Sequence, residues 1–305
     1  MFKKAEKTQS KLWCAIYGTS GSGKTISALR IATGMGGKMA VIDSERGSAS
    51  KYADRFTFDT LILEDKTIKG YTVAIEEAKK GGYEILVIDS MSHAWQELLE
   101  EIEQLAKQKY QGNIFRAWAE GTPKQRDFID TILNFPGHVI VTMRSKTEWG
   151  VDTDEKGKMK PRKLGLAPEQ GKNIEYEFDL LLVLNDEHVA KVEKDRTGKY
   201  QDAYITKPGE DFGKELIAWL KEGKPVEKKE PVKNDNFTPE FKKYYDEALP
   251  ILLKRINPDA SAADKTKAFN DYCSACIKDY KPHKLEYFTL DEIKNLCAYL
   301  KGMEK

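Results

Sequence analysis

The sequence has few cysteines and no long hydrophobic run. Four cysteines spread over 305 residues are too few for the disulfide framework of a small secreted protein. No apolar run approaches the roughly 18 to 20 residues that a membrane-spanning helix needs. The lysines near the N-terminus are not followed by an apolar segment long enough for a signal peptide. We therefore expect no contact with a membrane and a location in the cytoplasm.

The sequence also lacks an excess of charge of either sign. Fifty basic residues face 49 acidic ones, which gives a formal net charge of +1 at pH 7. The field of the whole protein therefore neither favours nor excludes a polyanionic partner, and a basic surface for such a partner must be local. The hydrophobic fraction of 40% is enough for the core of one sizeable domain and a smaller one.

Short apolar runs alternate with amphipathic segments from residue 12 to about residue 220. Runs such as ILVID and VIVT are apolar throughout and do not alternate, which is typical of parallel strands covered on both faces. The order indicates an α/β domain with a mostly parallel sheet, and the short turns among the last strands predict an antiparallel edge. The predicted strands span residues 12–17, 38–43, 60–64, 84–89, 138–143, 179–186, 188–195 and 203–206. The predicted helices span residues 24–35, 68–80, 91–110 and 123–134, the last opening at Thr122-Pro123.

Three later segments depart from this pattern. Residues 144–166 show neither a helical nor a strand period, so we expect a long functional loop there. Residues 221–236 combine proline, lysine and glutamate with almost no apolar residue, as a flexible linker does. Residues 237–305 have helical spacing, with helix starts at Thr238 and Thr289. The predicted domains are therefore a core at 1–220, a linker at 221–236 and a small helical domain at 237–305.

The sequence GTSGSGKT at residues 18–25 matches the phosphate-loop pattern G-x-x-x-x-G-K-[ST], with a strand before it and a helix after it. The glycines allow backbone N–H groups to converge on phosphate oxygens, and the start of the helix favours the same anion. Lys24 is expected to reach the β- and γ-phosphates, and the Thr25 hydroxyl to bind Mg²⁺. The predicted nucleotide-binding residues are Gly18, Thr19, Ser20, Gly21, Ser22, Gly23, Lys24 and Thr25.

Two further strands end in carboxylates that would reach the phosphate end of such a site. The strand EILVID ends at Asp89, which is expected to hold Mg²⁺ beside Thr25. The strand KMAVID is followed by Ser44 and Glu45, and a carboxylate there can orient and deprotonate a water that attacks the nucleotide. Of Asp43 and Glu45, the latter lies further past the strand and reaches better into a cleft. The alternatives are a solvated acidic turn and a turn in which Asp43 caps Arg46.

Together, GTSGSGKT, AVIDSE, EILVIDS and HVIVTM resemble the RecA-like ATPase core over roughly residues 10 to 220. More narrowly, the chain resembles the phage-encoded RecA-like ATPases, a group of AAA-domain nucleotide-binding proteins linked to single-strand annealing recombination. This resemblance implies an ATP- and Mg²⁺-dependent ATPase that acts on DNA as a ring or filament. It also implies a location in the host cytoplasm if a phage encodes the protein.

The resemblance assigns roles to several residues. Glu45 would be the catalytic base. Either Thr142 or Arg144 would sense the γ-phosphate, since this sequence lacks the amide or histidine that the family often has there. Lys194 and Arg196 look like the K-x-R pair that contacts a neighbouring subunit's γ-phosphate, and the alternative is a basic hairpin tip that faces water.

Residues 144–166 occupy the position of the DNA-contacting loop in RecA-like proteins. Lysines and arginines with one aromatic side chain are typical of sequence-tolerant binding to single-stranded DNA, although a solvated loop has the same composition. The predicted DNA-binding residues are Arg144, Lys146, Trp149, Lys158, Lys160, Arg162 and Lys163.

The helical segment at 237–305 contains three of the four cysteines. Cys273, Cys276 and Cys297 could bind zinc with His283, but they fall on the apolar face of predicted helices and are better interpreted as small buried side chains. The histidines at 93, 138 and 188 show no ligand spacing and are interpreted as structural. We expect the helical domain to bind an unknown protein partner.

Two other functions compete with a DNA-stimulated ATPase. A small-molecule kinase would need an arginine-rich lid and an acceptor motif, and neither is visible in the sequence. A nucleotide-gated scaffold with little turnover would need the same phosphate loop, so the sequence alone does not separate it from an ATPase. The sequence does not favour a GTPase either. The guanine-selecting [NT]-K-x-D pattern is missing, because Thr206-Lys207-Pro208 is followed by Gly209 and not by aspartate.

Overall fold

The computed structural model describes residues 4–153, 159–171, 174–225, 238–255, 262–277 and 288–302. The chain divides into two compact units, residues 1–226 and 227–305. The strands are β1 (Trp13–Gly18), β2 (Met39–Asp43), β3 (Asp59–Ile62), β4 (Ile85–Asp89), β5 (His138–Thr153), β6 (Met159–Pro168), β7 (Leu180–Leu184), β8 (Val189–Asp195) and β9 (Tyr204–Thr206). The helices are α1 (Lys24–Met35), α2 (Ile68–Lys80), α3 (Ser92–Lys109), α4 (Ile114–Leu133), α5 (Glu210–Lys221), α6 (Pro239–Arg255), α7 (Ala262–Cys276) and α8 (Leu290–Gly302).

The first unit is built on one sheet with strand order β3-β2-β4-β5-β1-β7-β8-β9. The strands from β3 to β7 are parallel, whereas β8 and β9 add antiparallel pairs at one edge. The structure therefore confirms the predicted α/β class with its mostly parallel sheet and antiparallel edge. Among the described residues, no helix is both long and apolar enough to span a bilayer.

Both faces of the sheet are covered, which explains why its central strands are apolar at every position. In β4, Ile85 and Val87 pack in one core with side chains of α1 and α5. Leu86 and Ile88 point to the other face and pack with side chains of α2 and α4. Because successive side chains of a strand alternate between faces, burial on both sides requires an unbroken apolar run.

Helix α4 begins earlier than the sequence predicted. It runs from Ile114 with Pro123 in its interior, so Thr122-Pro123 is not its start. The side chain of Asn113 accepts a hydrogen bond from the N–H of Arg116 at 3.0 Å and caps the true N-terminus. Apolar residues are buried on both sides of the proline, and this packing sustains the helix despite the missing N–H.

Residues 144–153 and 159–166 are not the irregular loop that the sequence predicted, and residues 154–158 lie outside the described residues. β5 continues past the sheet and pairs antiparallel with β6 from Ser145–Pro168 to Thr153–Met159, with a register shift between Glu148 and Trp149. We call the paired residues 145–153 and 159–168 the ribbon. Within the described residues β6 pairs only with β5, and residues 146–148 are exposed. The sequence of this segment lacks the apolar–polar alternation by which strands are recognised.

The end of the first unit also differs from the predicted boundary at residue 220. The N–H of Gln9 donates to the carbonyl of Lys224 at 2.9 Å, and the N–H of Lys224 donates to the carbonyl of Lys7 at 3.0 Å. Residues 222–225 therefore belong with the N-terminal segment and not with a linker. Residues 226–237, most of the predicted linker, lie outside the described residues.

The second unit is helical. Its core contains Phe241, Leu252, Leu296 and their neighbours on α6, α7 and α8. Thr289 caps α8, since its hydroxyl accepts from the N–H of Glu292 at 3.3 Å and its own N–H donates to the Glu292 carboxylate at 2.7 Å.

The cysteines of the second unit belong to its core. Cys273 and Cys297 are buried there, and Cys276 is partly buried beside them, which confirms their interpretation as small apolar side chains. In the described part of the chain, no three or more His, Cys, Asp or Glu side chains are grouped so that they could hold a metal ion. His283 lies outside that part.

Helices α1 and α5 approach so closely that glycine is required at their crossing. A Cβ added to Gly34 would lie 1.9 Å from the carbonyl oxygen of Glu210. We expect Gly34→Ala to lower the free energy of unfolding by about 1–3 kcal/mol, because the helices must separate. Urea unfolding followed by tryptophan fluorescence measures this, since all five tryptophans precede residue 227. An unchanged urea concentration at the midpoint of unfolding would show that the two helices accommodate the added methyl group without loss of stability.

Candidate functional site

The phosphate loop connects β1 to α1 and is shaped by its glycines. Gly21 and Gly23 have φ angles of 81° and 91°, in the left-handed region that other residues rarely adopt. The ammonium group of Lys24 lies over the loop and donates to the carbonyl oxygens of Gly18 at 3.0 Å and Thr19 at 2.7 Å. Burial lowers the pKa of Lys24. The lysine is thus held where a phosphate bound by the loop would meet it.

A cleft of about 560 Å³ lies beside this loop at the carboxyl ends of the parallel strands. It contains the phosphate-loop residues together with the residues predicted for Mg²⁺ and for catalysis. The cleft is lined by Gly18, Ser20, Gly21, Lys24, Thr25, Glu45, Ser48, Asp89, Ser90, Arg144, Ser145 and Glu169.

Asp89 and Thr25 meet in this cleft, as the sequence suggested for an Mg²⁺ site. The Thr25 hydroxyl donates to Oδ2 of Asp89 at 2.7 Å, and the hydroxyl of Thr142 donates to Oδ1. Burial raises the pKa of Asp89, and the two threonine hydrogen bonds oppose that rise. A carboxylate beside a hydroxyl is a donor set that fits Mg²⁺, which prefers hard oxygen ligands.

The two acids after β2 have different surroundings. The carboxylate of Asp43 is fully buried and accepts from the N–H groups of Glu45 at 2.7 Å and Ala49 at 2.8 Å. Asp43 therefore shapes the turn that follows the strand. Glu45 lines the cleft, so it is the acid that can act on a bound nucleotide.

Arg144 holds the carboxylate of Glu45. Its Nη2 atom lies 3.0 Å from both carboxylate oxygens of Glu45, and its Nε lies 3.2 Å from Oε1. Of the two predicted sensor residues, Arg144 lines the cleft, whereas Thr142 is fully buried behind Asp89. Thr142 therefore orients Asp89, and of these two residues it is Arg144 that lines the space where a nucleotide would bind.

His93 belongs to this network, although its sequence pattern gave no ligand spacing. Its Nδ1 lies 2.7 Å from the hydroxyl oxygen of Ser44, and its Nε2 lies 2.8 Å from Nη2 of Arg144. The sequence did contain a signal that places His93 near the site, since His93 follows Asp89 by four residues and lies in the first turn of α3. A polar residue one helical turn past a strand that ends in the site is placed near that site. Ser48, Ser145 and Glu169 were also missed as lining residues.

A comparison with protein families finds that the model of the AAA domain matches residues 10–215. This match covers more than half of the chain. The chain belongs to the AAA domain family. A comparison with curated proteins finds no match.

Among solved structures, an ATPase from the type III secretion system of pathogenic bacteria is similar to this AAA-domain chain. That structure is 14% identical in sequence, with a TM-score of 0.36, over 95% of this chain and 81% of the other. The likeness is too distant to carry an argument about function. Family membership and the geometry of the cleft together identify a nucleotide-binding site of the ATPase class.

The turn between β7 and β8 of the AAA domain supports the phosphate loop. The hydroxyl of Thr19 donates to the carboxylate of Asp186, and Nδ1 of His188 lies 3.0 Å from the carbonyl oxygen of Ser22. His188 thus has the structural role that the sequence analysis gave it. The two contacts hold Thr19 and Ser22 of the loop.

Lys194 and Arg196 lie at the other end of the sheet of the AAA domain. Asp195 pairs with Leu180, which opens β7, whereas the phosphate loop adjoins the carboxyl end of that strand. Both cations donate to the carbonyl oxygen of Tyr176, at 2.8 Å and 3.0 Å. They therefore share one face, as predicted, and contact groups of their own chain. Their contact with a neighbouring subunit's nucleotide stays a prediction.

Six of the seven predicted DNA-binding residues fall on the ribbon or at its base. Arg144 lies in the cleft and Lys146 is exposed in β5. The register pairs Trp149 with Lys163 and places Arg162 opposite Gly150 and Lys160 opposite Asp152. Lys158 lies outside the described residues. The ribbon of this AAA domain thus brings three cationic positions next to the strand that carries the tryptophan.

Proposed function

We propose that the protein binds ATP with Mg²⁺ in the cleft, hydrolyses it, and does so faster on single-stranded DNA as part of a recombination or annealing assembly. The observation that supports hydrolysis best is the meeting of three groups in one cleft. Lys24 lies over the phosphate loop, the Thr25 hydroxyl lies 2.7 Å from Asp89, and Glu45 lines the same space. These are the groups that phosphoryl transfer to water requires.

Each of these residues would have a defined task. Lys24 and the backbone N–H groups of the loop would bind the phosphates, and Thr25 and Asp89 would hold Mg²⁺. When bound, Mg²⁺ neutralises charge that develops on the phosphate oxygens. Glu45 would orient a water and accept its proton, and Arg144 would stabilise the γ-phosphate.

The support for DNA comes from the ribbon. It leaves the cleft directly after Arg144 and carries Lys160, Arg162 and Lys163 on one strand and Trp149 on the other. Cationic residues release counterions from DNA phosphates, and an aromatic side chain can stack on an unpaired base. A partner bound there would lie close to the groups that act on ATP.

Assembly into a ring or filament is the remaining part of the proposal. Lys194 and Arg196 would then face the γ-phosphate of the next subunit and stabilise charge in the transition state. The second unit, residues 237–305, would bind a partner protein.

The first experiment measures steady-state ATP hydrolysis with Mg²⁺, with and without single-stranded DNA, across a series of salt concentrations. We expect hydrolysis that DNA stimulates several-fold and a stimulation that fades as the salt concentration rises. A low rate that is indifferent to DNA would contradict the proposal and favour a nucleotide-gated scaffold. Transfer of the γ-phosphate to a small molecule in place of water would favour a kinase.

The ribbon can be tested separately by the salt dependence of DNA affinity. We expect the combined substitution of Lys160, Arg162 and Lys163 by alanine to reduce the slope of log affinity against log salt by about 2, since each phosphate contact on single-stranded DNA contributes roughly 0.7. Fluorescence anisotropy with a labelled oligonucleotide measures the slope. The matched control replaces three exposed lysines outside the cleft and the ribbon, namely Lys69, Lys107 and Lys214. Equal slopes for the two triple variants would exclude the ribbon as the DNA site.

A further inference from the structure

His93 is a nearly buried polar residue whose two ring nitrogens both have partners. It lies at the start of α3 with 8% of its surface exposed. Nδ1 is 2.7 Å from the Ser44 hydroxyl oxygen, and Nε2 is 2.8 Å from Nη2 of Arg144. The imidazole therefore bridges the turn that carries Glu45 and the arginine that holds Glu45.

The partners of the ring determine where its proton lies. A guanidinium group only donates, so Nε2 of His93 must accept from Arg144 and cannot carry a hydrogen. The hydroxyl of Ser44 accepts from the N–H of Ser90 at 2.9 Å and lies 3.0 Å from the carbonyl oxygen of the same residue. If Nδ1–H donates to this hydroxyl, the hydroxyl can donate its own hydrogen to that carbonyl. The groups to be satisfied are the imidazole ring and its partners, namely the guanidinium of Arg144, the hydroxyl of Ser44 and the carbonyl of Ser90. Only the neutral ring with the proton on Nδ1 satisfies all of them.

We propose that His93 is a positioning residue of the hydrolytic site, which fixes the guanidinium of Arg144 through Nε2 in the orientation that holds Glu45. The inference rests on the proposed function for its effect on turnover. The side chain of Arg144 is 41% exposed, and its planar guanidinium can rotate unless an inner contact holds it. His93 supplies this contact, and Ser44 in turn holds the ring through Nδ1. Burial lowers the pKa of His93, which is consistent with a neutral ring.

The tautomer can be measured without any hydrolysis. The chain contains four histidines, so nitrogen NMR of protein labelled at histidine resolves each ring, and the signals that His93→Gln removes identify His93. At neutral pH we expect His93 to be neutral with the proton on Nδ1. A proton on Nε2, or a charged ring, would overturn the inference, because Nε2 could not then accept from Arg144.

Two substitutions separate the two contacts of the ring. His93→Gln places an amide oxygen near the position of Nε2 and can still accept from Arg144. His93→Asn is shorter and can reach only the Ser44 hydroxyl. We expect His93→Asn to lower kcat about tenfold with KM changed less than about twofold, because the phosphate loop is untouched, and His93→Gln to retain most of kcat.

The two variants together decide whether His93 positions Arg144 through Nε2 or only fills space in the core. If both variants lose kcat equally, or if His93→Gln is the worse of the two, the inference is wrong. Binding of ATP and Mg²⁺ measured by calorimetry confirms that each variant is folded. A wild-type protein that binds ATP without turnover would contradict the proposed function, whereas the NMR result would still decide whether His93 holds Arg144.

Discussion

Replacing Glu45 by glutamine is expected to lower kcat for ATP hydrolysis by about 100-fold to 10,000-fold, because the amide cannot accept a proton from the attacking water. The substitution conserves the shape of the side chain. Glutamine also keeps an oxygen that can accept a hydrogen bond from Arg144, which now contacts both oxygens of Glu45 at 3.0 Å. Affinity for ATP with Mg²⁺ is expected to remain close to that of the unmodified protein, since Lys24, Thr25 and Asp89 are unchanged.

The measurement pairs steady-state hydrolysis with nucleotide binding by calorimetry. Glu64→Gln is the matched control, since Glu64 is exposed and does not line the cleft. Full hydrolysis by the Glu45→Gln variant would exclude Glu45 as the base. An equally low rate in the unmodified protein and the variant, with tight binding in both, would favour the scaffold.

Replacing Lys24 by alanine is expected to weaken binding of ATP about 100-fold and to abolish measurable turnover. Hydrogen bonds that involve a charged group contribute about 1.5–3 kcal/mol each, and about 1.4 kcal/mol corresponds to a factor of ten in affinity. The ammonium group already lies over the loop, within 3.0 Å of two of its carbonyl oxygens, so little reorganisation precedes its contact with phosphate. The pKa of Lys24 is lowered by burial, and a bound triphosphate would favour its charged form.

Calorimetry with ATP and with ADP measures how much affinity the Lys24→Ala variant loses for each nucleotide. Lys69→Ala is the control, because Lys69 also lies in the first turn of a helix but is exposed and distant in sequence from the phosphate loop. We expect the Lys24→Ala variant to lose more affinity for ATP than for ADP, since the lysine reaches the terminal phosphates. An equal loss for both nucleotides would indicate that the lysine supports the loop and does not bind the γ-phosphate.

The centre of the site could be predicted because each residue there follows from a local rule. A glycine-rich turn between a strand and a helix predicts a phosphate loop, and an apolar strand that ends in an acid predicts a carboxylate at the sheet edge. Thr25 and Asp89 are 64 residues apart in sequence, yet both rules place them at the same edge, where their side chains meet. The alternation of strands and helices was likewise sufficient for the fold class.

The remaining features depend on contacts between distant segments. The ribbon escaped prediction because its strands pair with each other and carry mixed charge. The Arg144–Glu45 pair joins residues 99 positions apart, and nothing near Glu45 in sequence specifies it. The predicted boundary at 220 lies six residues before the division at 226, because the pairing of residues 222–225 with the N-terminal segment leaves no periodic signal in the sequence.

The length of β5 has a thermodynamic consequence. Its 16 residues extend about 50 Å, and this one strand carries Thr142, which holds Asp89, Arg144, which holds Glu45, and then one side of the ribbon. A ligand on the ribbon and a nucleotide in the cleft would therefore both bind beside residues of β5. Free energies of binding are reciprocal, so any factor by which ATP changes the affinity of the ribbon for its ligand is also the factor by which that ligand changes the affinity for ATP.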